Sequence, residues 1–341
     1  MHPPIQDLHF DSQNFGLLRK QVCQNARLSM AMSCHPRIES KTKSSFPTSR
    51  CKNSELWFAN NLPVEKATLG YLAKYAERYQ VKLYAFALEG SHLQSPAQFP
   101  LGNRADFMRV FNSQTARCVD RLTPNFPGGG LFGRRYSSEF VDGDADMEHY
   151  FFYTVLQPVQ DCLVERISDY PFYNCFSDAV NGLERKVEVV RWGDYYLKSR
   201  YNSKLAVKDF TDTYTLKYER LPGYQHLTQK EYSKLMHQKL EERRAAIVNQ
   251  LKAEGRTFMG KEALLKVIPG TPAKNPKTSN SKSHRPRVLS LCPNKRAILK
   301  AWYFDLYFKY KVISKLYRAG DRTVQFPPGM YPPSLPCNFS P

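Results

Sequence analysis

The sequence predicts an α+β fold: a ferredoxin-like antiparallel sheet with helices on one face, followed by a basic, mostly helical C-terminal extension. Two observations carry that prediction. Hydrophobic periodicity between residues 44 and 157 runs strand, helix, strand, strand, helix, strand and one further helix, which is the βαββαβ order with a helix added. The charge is lopsided: residues 1–180 carry 19 basic and 18 acidic side chains, whereas residues 181–341 carry 31 and 13. Almost the whole net charge of +19 therefore sits in the second half. Such a field suits a polyanion, because each phosphate neutralised releases condensed counterions.

Each element follows from local pattern. Residues 1–43 are polar and aperiodic and read as an irregular N-terminal arm. Ser44 to Arg50 and Glu55 to Ala59 read as short extended segments. Over 64–79, Leu69, Leu72, Ala73 and Ala76 share one helical face. Over 81–88, Val81, Leu83, Ala85 and Ala87 alternate as in a strand. Pro96 lacks the N–H a ladder needs and predicts an interrupted sheet. Residues 103–122 are a second amphipathic helix, through Phe107, Val110, Phe111 and Val119. The PGGG at 127–130 is a loop, and 131–141 reads as a strand. Asp144 and Asp146 complement the dipole of a helix over 144–157, which Pro158 limits. These elements make up a domain over 44–178. A helical extension over 179–266 follows, in which Thr228 and Glu231 form a capping box for a helix over 228–253. A basic linker over 267–293 leads to a helix over 294–318 and a Pro-rich tail to 341.

Composition removes several function classes. No run of 18 apolar residues occurs, which argues against a membrane span, and Met1 to Lys20 lacks a signal pattern, so a cytoplasmic, nucleoid-associated protein is expected. The eight cysteines include no CxxC pair, which argues against a zinc ribbon and for scattered reduced thiols. PGGGLFG lacks the Lys-Ser/Thr and following helix of a phosphate-binding P-loop.

Four blocks carry a family resemblance: LYAFALEGSHLQ at 83–94, GLFGRRYSSEFVD at 130–142, YTVLQPVQDCLV at 153–164 and DYPFYNCF at 169–176. In order and spacing, joined by Arg50 after the first strand, they resemble single-tyrosine HUH transposases of the REP-associated and insertion-sequence-200-like kind. The resemblance covers about residues 44–178. It implies cleavage and rejoining of single-stranded DNA at a hairpin or repeat, through a 5′-phosphotyrosine. It places His92 at the first metal-binding histidine, Gln94 where the second would stand, Gln157 at a third ligand and Tyr153 at the nucleophile. The cofactor it implies is a divalent metal, Mg²⁺ or Mn²⁺. Glu89-Gly90-Ser91 departs from the family's Met-Pro-Asn, and the Gln94 replacement leaves the metal motif degenerate.

The chemistry is self-consistent. In an extended segment residues i and i+2 share a face, so His92 and Gln94 can converge on one ion. In a helix i and i+4 share a face, so Tyr153 and Gln157 project together. A phenol with a reference pKa near ~10 needs activation to attack phosphorus, which a nearby cation can supply. Candidate DNA contacts are Arg50, Arg134 and Arg135, with Lys274, Lys277, Lys282, Arg285, Arg287, Lys295 and Arg296 in a stretch free of acidic residues. The competing readings are a solvated edge for Arg134 and Arg135 and a solvated linker for the basic stretch. Trp302, Tyr303, Phe304, Tyr307, Phe308 and Tyr310 offer rings for base stacking, although on a helix such rings are more often core. The expected partner is single-stranded or hairpin DNA, with no membrane; a homodimer is compatible with the sequence. The main alternative is a catalytically impaired family member acting only as a DNA-binding protein. RNA binding on the same sheet is the third, and the sequence lacks the aromatic signature it would need.

Overall fold

The computed structural model describes residues 37–273 and 288–333. Its centre is an antiparallel-dominated sheet around strand β1 (Ser44–Arg50). On one side β1 pairs antiparallel with β4 (His92–Gln94) and β5 (Ala97–Gln98), two pieces of one interrupted strand. On its other side it pairs antiparallel with β6 (Ser137–Val141). The outer strand is again in two pieces, β2 (Lys82–Leu83) against β5 and β3 (Ala87–Glu89) against β4. The break falls at Pro96, for the reason its missing N–H gives. Ser95 still donates to the Pro47 carbonyl at 3.2 Å, and the Pro96 carbonyl takes the Tyr84 N–H at 3.0 Å. Ser95 Oγ donates to the Ala85 carbonyl at 2.6 Å. These bonds hold residues 84–86 out of regular pairing, so the single strand expected over 81–88 is divided.

Helices cover both faces of this sheet, not the one face expected, because the helix added after the last strand lies opposite the other two. α1 (Leu62–Arg78) packs against α2 (Arg104–Leu122), and Asn112 of α2 donates to the Ser49 hydroxyl at 2.8 Å. Phe46 has the opposite parity to Ser49, so it points to the other face. There its ring meets Tyr150 and Tyr153 of α3 (Asp144–Val155), with centroids 5.4 and 6.0 Å away. α3 ends at Val155, two residues short of the expected limit, and a short α4 (Gln157–Gln160) resumes around Pro158.

Three other expectations are corrected. The strand expected over 131–141 begins only at Ser137; residues 131–136 form a loop joined to β1 by the Cys51–Phe132 bridge. Arg134 and Arg135 are therefore on an exposed loop. Glu55 to Ala59 is not extended: the Ala59 N–H closes a turn onto the Leu56 carbonyl at 3.2 Å, and the Trp57 indole donates to Glu55 at 2.8 Å. The span 267–293 contains a short strand, β9 (Val288–Leu289), parallel to β6.

The second half is less purely helical than its sequence suggests. After α5 (Phe176–Asn181), strands β7 (Arg185–Val190) and β8 (Thr211–Leu216) form an antiparallel pair, with α6 (Trp192–Ser199) between them. α7 (Gln229–Ala253) starts at the expected capping box: Thr228 Oγ1 accepts the Glu231 N–H at 3.3 Å, and Glu231 accepts the Thr228 N–H at 2.9 Å. Short α8 (Lys261–Leu264) and long α9 (Pro293–Arg318) complete the chain. One apolar core runs from Phe46 through Phe111, Phe151 and Tyr232 to Val248. A smaller one joins Ile38, Phe140, Val288, Leu299, Tyr303 and Met330. Tyr303 is thus packed inside, not offered for stacking. Gly329 makes that second cluster possible: its φ is +75°, and a Cβ there would stand 2.0 Å from the Glu39 carbonyl oxygen. Among the described residues no helix is long and apolar enough to cross a membrane, and Cys51, Cys118, Cys162, Cys175 and Cys292 are free thiols.

Candidate functional site

The register of the central strands builds a polar patch on the face that α3 and α4 cover. Arg50 is paired with His92, and His92 with Glu89 across the β3–β4 hairpin. Thr48 is paired with Gln94, and Gln94 with Ala87. Directly opposed residues of antiparallel strands share a face, so Glu89, His92 and Arg50 form one row and Gln94 with Thr48 the next. Glu89, His92 and Gln94 are each 5% exposed or less, whereas Thr48 and Arg50 are partly open to solvent.

Gln157 descends onto the patch from α4. Its Oε1 accepts a hydrogen bond from Gln94 Nε2 at 3.0 Å, and its own Nε2 donates to Asp161 Oδ2 at 2.9 Å. The carboxylate orients the chain of amides. It takes the NH₂ of Gln157, which leaves the Gln157 carbonyl facing Gln94, whose NH₂ turns towards it in turn. Tyr170 marks the same neighbourhood: its buried phenol is held well above the ordinary tyrosine range by burial first, then by the charges of Glu89, Glu65 and Asp161.

Tyr153 lies one helical turn before Gln157, half-buried, with its ring against Phe46 and Tyr150. Its carbonyl accepts from Gln160 Nε2 at 3.1 Å, which ties the end of α3 to α4. Burial, and then Asp146, Glu139 and Tyr153, push the phenol pKa of Tyr150, a turn earlier, above its ordinary value. On the side away from the sheet, Tyr153 forms part of the wall of a cleft of about 470 Å³ between α3–α4 and α7.

The basic residues separate into groups. The Arg50 carbonyl accepts the Gly133 N–H at 3.2 Å, so the loop carrying Arg134 and Arg135 folds back onto the end of β1 where His92 lies. Lys295 and Arg296 are exposed in the first turn of α9. Lys295 Nζ would stand 3.1 Å from a Cβ on Gly143, just beyond β6, whose Val141 pairs with Ser44. That is the other end of β1, so the structure does not bring these two to His92. Lys274, Lys277, Lys282, Arg285 and Arg287 lie outside the described residues.

The donor set can be compared with what a divalent ion needs. Ligands at 2.0–2.1 Å on adjacent corners of an octahedron stand about 3 Å apart, and the Gln94–Gln157 hydrogen bond has that length. A half-turn of the Gln94 amide would set two carbonyl oxygens side by side. One imidazole, two amide oxygens and the neighbouring Glu89 carboxylate suit a hard cation such as Mg²⁺ or Mn²⁺. By residue type the set is compatible with such an ion, and no group of three or more His, Cys, Asp or Glu side chains suited to a metal occurs among the described residues. Sequence reasoning missed Glu89 and Asp161. Both had a signal: Gly90-Ser91 is a two-residue hairpin connection that sets Glu89 opposite His92, and Asp161 follows Gln157 at helical spacing.

No family model matches the sequence, and no curated protein does. One solved structure, a REP-associated tyrosine transposase bound to a REP hairpin, is similar over 41% of this chain and 81% of its own, at 16% identity and a TM-score of 0.36. Likeness of that degree establishes neither a shared fold nor a shared function.

Proposed function

We propose that this protein cuts and rejoins single-stranded DNA, at a hairpin or repeat, with Tyr153 as the nucleophile. The observation that carries the reading is the meeting of Gln157 with Gln94 at 3.0 Å on the strand that bears His92, with Tyr153 one turn away. The strand order β6-β1-β4/β5-β2/β3, with every one of these neighbours antiparallel, supports treating the sheet as ferredoxin-like. His92, Gln94 and Gln157, with Glu89 beside them, would hold the divalent ion, which when bound supplies charge stabilisation at the scissile phosphate. Arg50 and the exposed Arg134 and Arg135 would hold flanking phosphates at the same end of the sheet. The Tyr153 oxygen bonds to phosphorus, the bond to the 3′ oxygen breaks, the phenol proton passes to solvent and the 3′ oxygen takes one up. Rejoining reverses these steps without ATP, because the phosphodiester energy is kept in the tyrosyl ester.

A second reading has its own support. Gln94 donates to Gln157 and Gln157 to Asp161, so the two amides are tied to one another and to a carboxylate, as a purely structural role in a DNA-binding protein would use them. Covalent capture decides between them. The full chain is incubated with labelled single-stranded hairpins in Mn²⁺ or EDTA and run on a denaturing gel. The nuclease reading expects a Mn²⁺-dependent adduct that is absent in Tyr153→Phe. Binding without an adduct, for every hairpin and metal tried, establishes the binding protein instead.

A further inference from the structure

We infer that the cleft between α3–α4 and α7 is a nucleobase pocket, which seats the nucleotide adjoining the phosphate at Tyr153. The inference rests on the nucleophile reading of Tyr153 given above.

The cleft's volume of about 470 Å³ lies within the range of small-ligand sites. Leu156 and Ile247 supply apolar walls, and Tyr153 opens into the same space. Gln160 and Gln250 add two amides. Gln160 spends its NH₂ on the Tyr153 carbonyl, which leaves its own carbonyl oxygen as an acceptor. Gln250 Nε2 bonds to Glu254 at 2.9 Å, a surface hydrogen bond between two exposed side chains. An amide offers a donor and an acceptor in one plane, the pattern that a base edge presents in reverse. The Arg243 guanidinium lies 4.4 Å from the centroid of the Phe152 ring and is held there by Glu148 at 2.5 Å, which fixes a flat shelf at the same cleft. Among the described residues no carboxylate lines it. An apolar peptide side chain would need neither the two amides nor a flat guanidinium, whereas a planar base can use the amides at its edge and the guanidinium at its face. With Tyr153 in the wall, a base held here brings its own phosphate to the phenol.

The test uses the full chain, Ala246→Trp and Gln250→Ala, with single-stranded 5-iodouracil oligonucleotides as probe. Ala246 lies at an exposed position of α7 that faces the cleft, so an indole there fills the space at little risk to the fold. Ultraviolet crosslinks are mapped to peptides, and affinity is measured by fluorescence anisotropy at fixed salt. Crosslinks are expected within 153–160 or 243–251. Ala246→Trp is expected to weaken binding about tenfold, the scale of removing one base from its stacking partner, and to lose that penalty when the crosslinked nucleotide is made abasic. If Ala246→Trp fails to fold, Gln250→Ala carries the same comparison with a smaller loss. Crosslinks confined elsewhere, or affinity unchanged in the variants, overturn the pocket. Crosslinks in the cleft with no tyrosyl adduct under any metal overturn the nuclease reading and keep the pocket. Absence of any binding to single strands overturns both.

Discussion

Gln94 occupies the position where the family resemblance expects a second imidazole, and the structure gives the exchange a local logic. A histidine reaches a metal with one lone pair, whereas Gln94 reaches Gln157 across 3.0 Å and enters a chain of amides that ends on Asp161. In the proposed metal site Glu89, opposite His92 across the hairpin, would supply the negative charge that neither amide carries. Gln94→His should raise Mn²⁺ affinity, and Glu89→Gln should lower it, each by about tenfold, the low end of what ligand and near-ligand changes do. Titration followed by Mn²⁺ electron paramagnetic resonance reads both without any need for activity. If the parent chain and both variants bind Mn²⁺ equally, these residues do not surround the ion.

α3 and α7 are clasped through one carboxylate. Glu148 of α3 accepts from the Tyr224 hydroxyl, from Lys239 at 3.0 Å and from Arg243 at 2.5 Å. Burial by itself would push the Glu148 pKa up, but the Tyr224 hydroxyl and the two cations outweigh it and hold the carboxyl below its ordinary value. A folded-state pKa below the unfolded one means the clasp is fully present above the ordinary carboxylate range. It is lost as pH falls through the folded value. Breaking a buried pair costs ~3–5 kcal/mol, but Lys239 and Arg243 are 29% and 34% exposed, so about 2 kcal/mol is expected for Glu148→Gln. Urea midpoints should show that loss at pH 7 and a clearly smaller one near pH 3. An equal loss at both would mean the effect is packing, not charge. The same clasp holds one end of the cleft in register, so this variant should also weaken oligonucleotide binding.

The charge belongs to the molecule as a whole. The excess of +18 in residues 181–341 has its described helical share spread along α7 and α9, while Arg50, Arg134 and Arg135 add a separate basic point beside His92. Affinity for single-stranded DNA should fall steeply with salt. Replacing Arg134 and Arg135 together by alanine should flatten the plot of log K against log salt by about 1.4, at about 0.7 for each phosphate no longer neutralised. No change in slope would assign the pair to a solvated edge. Lys295→Ala, at the far end of β1, should alter the slope only if the strand spans the sheet.

Much of this was legible in the sequence, for reasons that are local. α2, α7 and α9 were placed within a residue or so, because helical periodicity and a capping box are written within a few turns. The break in the sheet was legible too, since Pro96 lacks its N–H wherever the chain goes. Extended spacing also put His92 and Gln94 on one face of their strand. Tertiary structure decided the rest. The β7–β8 pair was hidden because its two short strands are separated by 20 residues that include a helix, and no local signal says that they pair. The loop at 131–136 was read as strand because nothing local reveals that it folds back onto Arg50. Glu89 meets His92 through register, and Glu148 meets Arg243 across 95 residues of chain. Local propensity is a property of neighbouring residues, and a site assembled from distant segments exists only once the core has fixed where those segments lie.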